Sequence, residues 1–460
     1  MGSQFLQQVI NAADEDSATI GGLDKYGGTP SLRFKATGFF RLEKAKRWWL
    51  VTPEGNAFLS LGMNHVHPGW INQAYNAEYW RKQFGAETFG DAAFRAGLQA
   101  FVSNNLKDYG FNTLGIHNSW DSLHPELRVP WIKGIPFVNT HHYKVSTEKD
   151  FLDVFSPNFQ KHCDTLAKTE AAPLKEDAFL LGYAMTDCPI LTELDAAARP
   201  THVYGSKREA LPTWPRVLRN LPAEAPGKQA YVVTMREQYN KYIGGFNKTY
   251  GTTFARWQDL EKASNWRPHF DSRNGKELQD NNAFLQKVVD RYYSVMIAAV
   301  KRHDPNHLIL GDKLNSNTDA AEAMAHITSK YTDLVFYQQY GRWQEQRNVL
   351  KRLSEASGKP LFNGDGGFNT PHENMPNPHG PHAMDQEHRA DEAILFAKNA
   401  FARDDFVGWT LCGWVDTWKT MPRKEFKQHG GLMDAFGKPY QPYQDAIKSF
   451  SNRMYQVANA

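Results

Sequence analysis

The segment FLLGYAMTDCP at residues 179–189 is a short apolar run that ends in a carboxylate, Asp187, followed two residues later by a turn-forming proline. A second segment, KPLFNGDG at residues 359–366, has the same form and ends at Asp365. Short apolar runs bounded by turn residues are typical of buried parallel strands. In a closed barrel of such strands, the C-terminal strand ends face the active site. The two segments therefore predict a barrel that brings Asp187 and Asp365 together.

The rest of the chain alternates strand-like runs with helical patterns. Helices are predicted over residues 92–108 and 282–302 from apolar spacing of three and four residues, and another begins at Ser156-Pro157. The predicted barrel strands are residues 57–62, 112–116, 135–138, 179–183, 307–311, 333–337, 360–362 and 407–411. Eight strands that alternate with helices predict an α/β fold, a (β/α)₈ TIM barrel.

Three segments add to this barrel. Residues 1–35 are polar and rich in glycine, which predicts a loose N-terminal arm, and runs at 38–42 and 47–51 predict a β-hairpin. Residues 190–280 are too long for a plain crossover after strand four and are rich in Pro, Arg and Trp. We therefore expect residues 36–460 to form one catalytic barrel, with 190–280 as an insertion over the active-site mouth.

Composition narrows the classes of partner. The net charge of +3 is too small to favour nucleic acid, and no apolar run is long enough to span a membrane. The three cysteines show no CxxC spacing, so neither a disulfide framework nor a zinc knuckle is predicted. The first residues lack the features of a leader, which predicts a cytoplasmic protein, or a periplasmic or secreted one if a signal peptide has been removed. The pattern leaves the oligomeric state open.

Two carboxylates at one barrel end are what glycosidic bond cleavage requires. Asp187 is the predicted general acid, with a pKa raised by burial or a nearby carboxylate, and Asp365 the predicted nucleophile or base. Glu193 is an alternative acid. The competing interpretation is that both aspartates only stabilise turns.

Other side chains follow predicted strand ends and could bind an oligosaccharide substrate. Asn64, His65, His117 and Asn118 could hydrogen-bond sugar hydroxyls, and Trp414 could form the floor of a subsite. Tyr337 could shape the same subsite, and Tyr337 or Tyr340 could hydrogen-bond the carboxylate on strand seven. Further candidates are Trp70, Trp120 and Trp343 as stacking platforms, and Lys313 and Arg342 as contacts for a sulfate or carboxylate group. Each of these residues could instead be packed in the core or exposed on a loop.

The His65-Val66-His67 motif raises the possibility of a metal-dependent hydrolase of the amidohydrolase type. Such sites need further histidines after strands five and six, and those predicted strands end in Asp312-Lys313 and in residues 337–340, which contain none. We therefore predict no cofactor and no metal. The histidines at 372, 379, 382 and 388 have irregular spacing and are expected to line or cover the site.

Residues 38–43, 48–55 and 58–64 resemble the opening of agarase-like glycoside hydrolases. The resemblance continues through residues 109–115, 181–183 and 407–409, ends with 430–434 and 437–440, and covers about residues 38–445 apart from 190–280. It implies a (β/α)₈ barrel of the large retaining clan that acts on β-linked galactose in red-algal galactans.

The catalytic motif departs from that family. The resemblance implies Asn-Glu after strand four and Glu after strand seven, whereas this chain has Asp187-Cys188 and Asp365 there. Together with the resemblance, Asp-Cys-Pro after strand four predicts a divergent subgroup of that family. Because an aspartate is one methylene shorter than a glutamate, both retaining geometry, with carboxyls about 5–5.5 Å apart, and inverting geometry, with about 6.5–9.5 Å, stay open.

The resulting expectation is a glycoside hydrolase that cleaves β-galactosidic linkages in agar- or carrageenan-type oligosaccharides. The elaborated mouth predicts exo action. The alternatives are a non-catalytic glycan-binding pseudo-enzyme and the metal-dependent hydrolase.

Overall fold

Eight parallel strands close into a barrel in which each strand pairs with the next along the chain and the last pairs with the first. The computed structural model describes residues 22–119, 123, 126–139, 152–202, 212–418 and 429–459. An antiparallel N-terminal sheet precedes the barrel and contains β1 (Thr29–Arg33), β2 (Arg41–Lys44), β3 (Trp48–Val51) and β4 (Asn56–Phe58). The barrel strands are β5 (Ser60–Met63), β6 (Thr113–Leu114), β7 (Trp131–Gly134), β8 (Leu180–Asp187), β9 (Leu308–Asn315), β10 (Val335–Gln338), β11 (Leu361–Gly366) and β12 (Phe406–Leu411).

Helices alternate with these strands and confirm the predicted (β/α)₈ fold. Those before β8 are α1 (Ala77–Phe84), α2 (Ala92–Tyr109) and α3 (Pro157–Glu170). Between β8 and β9 lie α4 (Glu193–His202), α5 (Trp214–Arg219), α6 (Pro226–Gln238), α7 (Ile243–Tyr250), α8 (Trp257–Lys262) and α9 (Gly275–His303). The remaining helices are α10 (Ala320–Thr328), α11 (Trp343–Ser357), α12 (Gln386–Phe401), α13 (Gln441–Ser451) and α14 (Met454–Asn459). Among the described helices, none combines the length and apolar character needed to cross a membrane.

Local capping explains where the predicted helices begin and end. The Ser156 hydroxyl accepts a hydrogen bond from the Phe159 amide, and Pro157 occupies the first turn of α3. Helix α2 ends at Gly110, whose φ of +69° is the left-handed conformation that glycine adopts without steric cost. Both boundaries agree with the sequence prediction.

The N-terminal sheet covers the end of the barrel at which the strands begin. Leu50 and Phe58 of the sheet, and Phe40 directly before β2, share one buried apolar cluster with Leu308 and Val407, which lie at the starts of β9 and β12. Apolar packing therefore closes this end of the barrel, and the opposite end, where the strands finish, is left for a site.

Two boundary predictions were wrong. The third barrel strand is Trp131–Gly134 and not 135–138, because Pro136 has no amide hydrogen to donate to a strand ladder. Residues 29–33, predicted to lie in a loose arm, form β1 and pair with β4. The first 21 residues of the predicted arm lie outside the described residues.

The predicted insertion is helical and packs on α9. The Trp214 ring of α5 lies 5.1 Å from the ring of Tyr292 in α9. Arg219, at the end of α5, forms a fully buried ion pair of 2.9 Å with Glu277 in the first turn of α9. These contacts fix the insertion to the outer layer of the barrel, and its position over the mouth stays a prediction.

Candidate active site

The C-terminal ends of three strands bring two carboxylates to one ammonium group. Asp187 is the last residue of β8, Lys313 lies in β9, and Asp365 lies in β11. Lys313 Nζ lies 2.9 Å from Asp187 Oδ1 and 2.5 Å from Asp365 Oδ2. The structure thus brings together both predicted catalytic residues, with Lys313 between them.

The shared contact with Lys313 limits the distance between the two acids. Asp187 Oδ1 and Asp365 Oδ2 can lie no farther apart than the two contact distances laid end to end, about 5.4 Å. This limit on one pair of oxygens is compatible with the carboxyl spacing of about 5–5.5 Å in retaining enzymes.

Burial makes the charges of this cluster strongly interdependent. The side chains of Lys313 and Asp365 are 1% and 0% exposed, and that of Asp187 is 12% exposed. Burial alone would raise the pKa of Asp365, but the charge of Lys313 outweighs it and holds this pKa well below its usual range. Burial alone would lower the pKa of Lys313, but the charges of the two aspartates outweigh it and raise this pKa above its usual value. Asp365 is therefore a carboxylate and Lys313 an ammonium ion across the physiological pH range.

Two further residues orient Asp365. The Tyr340 hydroxyl donates to Asp365 Oδ1 at 2.9 Å, which is the contact predicted for a tyrosine after strand six. Asn64 Nδ2 donates to the Gly364 carbonyl at 2.7 Å and lies 3.3 Å from Asp365 Oδ1, while its Oδ1 accepts from the Ile116 amide. Asn64 therefore positions the carboxylate by cross-linking three strand ends.

That cross-link depends on a glycine. A Cβ atom at position 115 would lie 1.9 Å from Asn64 Oδ1, so only glycine leaves room for the asparagine side chain.

A stack of imidazoles borders the acids. His117 Nε2 lies 3.5 Å from Asp187 Oδ2 and 3.4 Å from Lys313 Nζ. The His117 ring stacks on that of His65 at 4.6 Å, and His65 lies 5.1 Å from His429. His65 and His117 have positive φ of 60° and 62°, an uncommon conformation for residues with a side chain that often marks functional positions. Burial, and then His117, lower the pKa of His65 to about 3, so this ring is neutral.

Several predicted site residues lie elsewhere or have other partners. Glu193 is held in a buried network by Arg216 at 3.1 Å, and by Thr213 and Asn281, so the structure does not bring it to the aspartates. Trp414 is fully buried and donates to Asn105, which is a core position and not an open subsite floor. Tyr337 is also fully buried.

Of the remaining predicted substrate-binding residues, some lie near the aspartates and others have structural partners elsewhere. Asn118 accepts from the Val66 amide and donates to the Gly115 carbonyl, so its amide braces the strand ends. Trp343 begins α11 and packs on Phe396, whereas Trp70 lies at the edge of the imidazole stack, 6.4 Å from His65. Arg342 pairs with Glu392. Trp120 lies outside the described residues.

The predicted role of Lys313 differs from the one the structure shows. The sequence suggested a contact for a substrate sulfate or carboxylate, but the ammonium already contacts the carboxylates of Asp187 and Asp365. A lysine near the end of strand five, which follows the strand that ends in Asp187, was the signal for this arrangement.

Cys188 occupies the position where the resemblance implies a catalytic glutamate. Its φ is +45°, its side chain is fully buried, and its thiol lies 3.5 Å from Gln338 Oε1. Burial, followed by the charge of Asp187, raises the pKa of this thiol well above its usual value. Cys188 is therefore a protonated thiol, which is a poor nucleophile.

The His-x-His motif does not converge on one point. His67 Nδ1 accepts a hydrogen bond from the Gly69 amide at the start of a short 3₁₀ helix, Pro68–Ile71. Among the described residues, the groupings of side chains with metal-ligand spacing include His65 but not His67.

No family model matches this chain. It is similar to two agarases of Vibrio sp. (strain JT0107): β-agarase B, with 22% identity covering 99% of this chain and 54% of that protein, and β-agarase A, with 21% identity covering 98% and 50%. The chain thus spans about half the length of each. A solved exo-β-agarase structure superimposes with a TM-score of 0.78 at 17% identity, covering 98% of this chain and 70% of that one. These comparisons confirm the resemblance to agarase-like glycoside hydrolases and the barrel fold.

Proposed function

We propose that this chain hydrolyses β-galactosidic bonds in agar- or carrageenan-type galactan oligosaccharides, with Asp365 as nucleophile and Asp187 as general acid and base. The observation that carries the proposal is that both carboxylates contact Lys313 at the barrel mouth, which places an oxygen of one within about 5.4 Å of an oxygen of the other. The similarity to β-agarases supports the substrate class, and the exo-β-agarase of similar fold supports release of product from a chain end.

The geometry gives each acid a role in a two-step displacement. Asp365 is kept ionised by Lys313 and oriented by Tyr340, as an attacking carboxylate must be. It forms a bond to the anomeric carbon while the glycosidic oxygen leaves with a proton from Asp187. Water then attacks the same carbon, Asp187 takes up the proton of that water, and Asp365 is released. His117, beside Asp187 Oδ2, is placed to hand Asp187 its first proton.

This reaction requires Lys313 to loosen its contact with Asp187. An adjacent ammonium favours the ionised form of a carboxyl group, and only the protonated form can act as a general acid. We propose that a sugar entering the site displaces the ammonium from Asp187 and leaves it on Asp365.

The contacts of Lys313 with both aspartates, and the presence of Cys188, also favour a second candidate function. In this second candidate, the barrel binds glycans without cleaving them. One ammonium contacts both acids, and the position where the resemblance implies an acid carries a thiol.

The test is product analysis with agarose, porphyran and carrageenan oligosaccharides, using the wild type and Asp365→Asn. Chain-end products from the wild type, none from Asp365→Asn, and azide rescue of Asp365→Ala as a glycosyl azide would support a retaining hydrolase. Hydrolysis products of inverted anomeric form from the wild type would contradict the nucleophile role. Saturable binding without products would favour the second candidate, and neither binding nor products would contradict both.

A further inference from the structure

Beside the two aspartates lies a second cluster of chemically distinctive side chains, which the proposed reaction does not use. His65 follows β5, Cys412 follows β12, and His429 lies close to both at the same end of the barrel. One potential ligand atom from each residue lies within 4.8 Å of the other two. We call these three residues the His-Cys-His cluster.

The spacing of this cluster suits a metal ion. Around a tetrahedral zinc ion, with bonds of about 2.0–2.3 Å, sulfur and imidazole nitrogens lie roughly 3.3–3.6 Å apart. Cys412 Sγ and His429 Nδ1 are already 3.3 Å apart. The His65 nitrogen lies within 4.8 Å of both atoms, so it would have to move by no more than about 1.5 Å to reach that spacing.

His65 supplies an independent observation that points to a ligand. The residue is only 8% exposed, and its Nε2 atom is buried with no hydrogen-bond partner among the described residues. Burying a ring nitrogen without a partner costs free energy, and such atoms in native structures call for an explanation. A neutral imidazole nitrogen offers a lone pair to a metal ion.

The structure contains a second grouping with suitable spacing, formed by His65, His117 and Asp365. Its members are engaged in the ion-pair cluster, since Asp365 contacts Lys313 and Tyr340, and His117 lies beside Asp187. A cation there would lie beside the Lys313 ammonium, and the repulsion disfavours it. The His-Cys-His cluster also offers sulfur, which selects zinc-class ions over magnesium or calcium.

We propose that His65, Cys412 and His429 bind one zinc-class divalent metal ion through two imidazole nitrogens and one thiolate. Three protein ligands leave a fourth position for water or a ligand hydroxyl group. On binding, the Cys412 S–H bond is replaced by a sulfur–metal bond and the proton passes to solvent, with no change in oxidation state. The proposal does not depend on glycosidase activity, because the ion is bound by side chains outside the acid pair.

The test uses the full chain, reduced and freed of metal with a chelator, and titrated with Co²⁺ and Zn²⁺ without any sugar. We expect one equivalent of Co²⁺ to produce a thiolate-to-cobalt charge-transfer band, which one equivalent of Zn²⁺ then abolishes. Cys412→Ser should remove the band, and both Cys412→Ser and His65→Gln should weaken Zn²⁺ binding by at least about 100-fold, more than loss of an outer-shell partner.

Two matched variants serve as controls. His67→Gln changes the other histidine of the same motif, and Cys163→Ser changes a buried cysteine in α3. Both should bind Co²⁺ and Zn²⁺ as the wild type does. The absence of a charge-transfer band in the wild type, or equal Zn²⁺ affinity of the wild type and folded Cys412→Ser, would overturn the proposal. Because no substrate is present, neither result bears on the proposed hydrolysis.

Discussion

Lys313 is the residue on which the charge balance of the candidate active site depends. Its ammonium is buried and contacts both Asp187 and Asp365. Removing one member of a buried ion pair leaves an uncompensated charge, which typically costs about 3–5 kcal/mol. We expect Lys313→Met to lower the free energy of unfolding at pH 7 by about that amount, as measured by urea denaturation.

The pH dependence of this loss gives a sharper test. In the wild type the pKa of Asp365 lies below its unfolded value of about 3.9, so its stabilising contribution is present above pH 4 and is lost on acidification. In Lys313→Met, burial without the ammonium raises the pKa of Asp365, and the charged form destabilises the fold as pH rises. The difference between the two proteins should therefore shrink from pH 7 to pH 3.

A matched lysine distinguishes this effect from a general loss of charge. Lys330 pairs with Asp290 at 3.6 Å, and both side chains are largely exposed, at 59% and 47%. Lys330→Met should change the free energy of unfolding by no more than about 0.5 kcal/mol, since exposed pairs contribute little. An equal loss in both variants would contradict the role of Lys313.

Tyr340 is expected to act through Asp365. Tyr340→Phe removes the hydroxyl that donates to Asp365 Oδ1. A hydrogen bond to a charged group contributes about 1.5 kcal/mol or more, so we expect kcat/KM to fall at least about tenfold, with the loss mainly in kcat. Steady-state kinetics on the best galactan oligosaccharide, alongside the exposed Tyr242→Phe, would check this. A rise in KM alone would indicate that the hydroxyl only binds substrate.

At the scale of elements, the join between the insertion and α9 depends on one buried network. Arg219 donates to Glu277 and Asn281, and Arg267 also contacts Glu277. We expect Arg219→Met to destabilise the protein by about 1–3 kcal/mol, because buried Glu277 and Asn281 lose a hydrogen-bond donor while Arg267 keeps its contact with Glu277. Thermal unfolding would measure the loss.

A second pair provides the control for this element. Arg352 contacts Glu322 between α11 and α10, with half of the arginine side chain exposed. Arg352→Met should leave the unfolding transition almost unchanged. If Arg219→Met behaved like Arg352→Met, the insertion would not be fixed to α9 by this network.

At the scale of the whole molecule, the N-terminal sheet should stabilise the barrel by covering the end at which the strands begin. Phe40 is 1% exposed and packs in the cluster shared by the sheet and the barrel interior. Phe40→Ala should lower the free energy of unfolding by about 3–5 kcal/mol, whereas Tyr242→Ala, at a position 69% exposed, should have little effect. A separate early transition for the sheet in calorimetry, with the barrel transition unchanged, would contradict this coupling.

The sequence alone determined the barrel and the strand ends that carry the acids. Short apolar runs that end in Asp187 and Asp365 indicate buried parallel strands, and they also show at which end of those strands the acids lie. It could not locate the third strand, where the effect of Pro136 competes with apolar character, and it placed Trp414 and Tyr337 in a sugar subsite although both are buried. The direction in which a side chain points depends on packing between elements that are distant in the sequence, so the local sequence pattern does not predict it.

Only the tertiary structure decided what lies between the acids. Lys313, His117 and Tyr340 reach Asp187 and Asp365 from different strands, and Cys412 and His429 reach His65 from the far end of the chain. Barrel closure brings together residues separated by hundreds of positions, and it fixes charges and ligand atoms to within a few ångströms. The chemistry of this site depends on those distances, which exist only once the last strand has paired with the first.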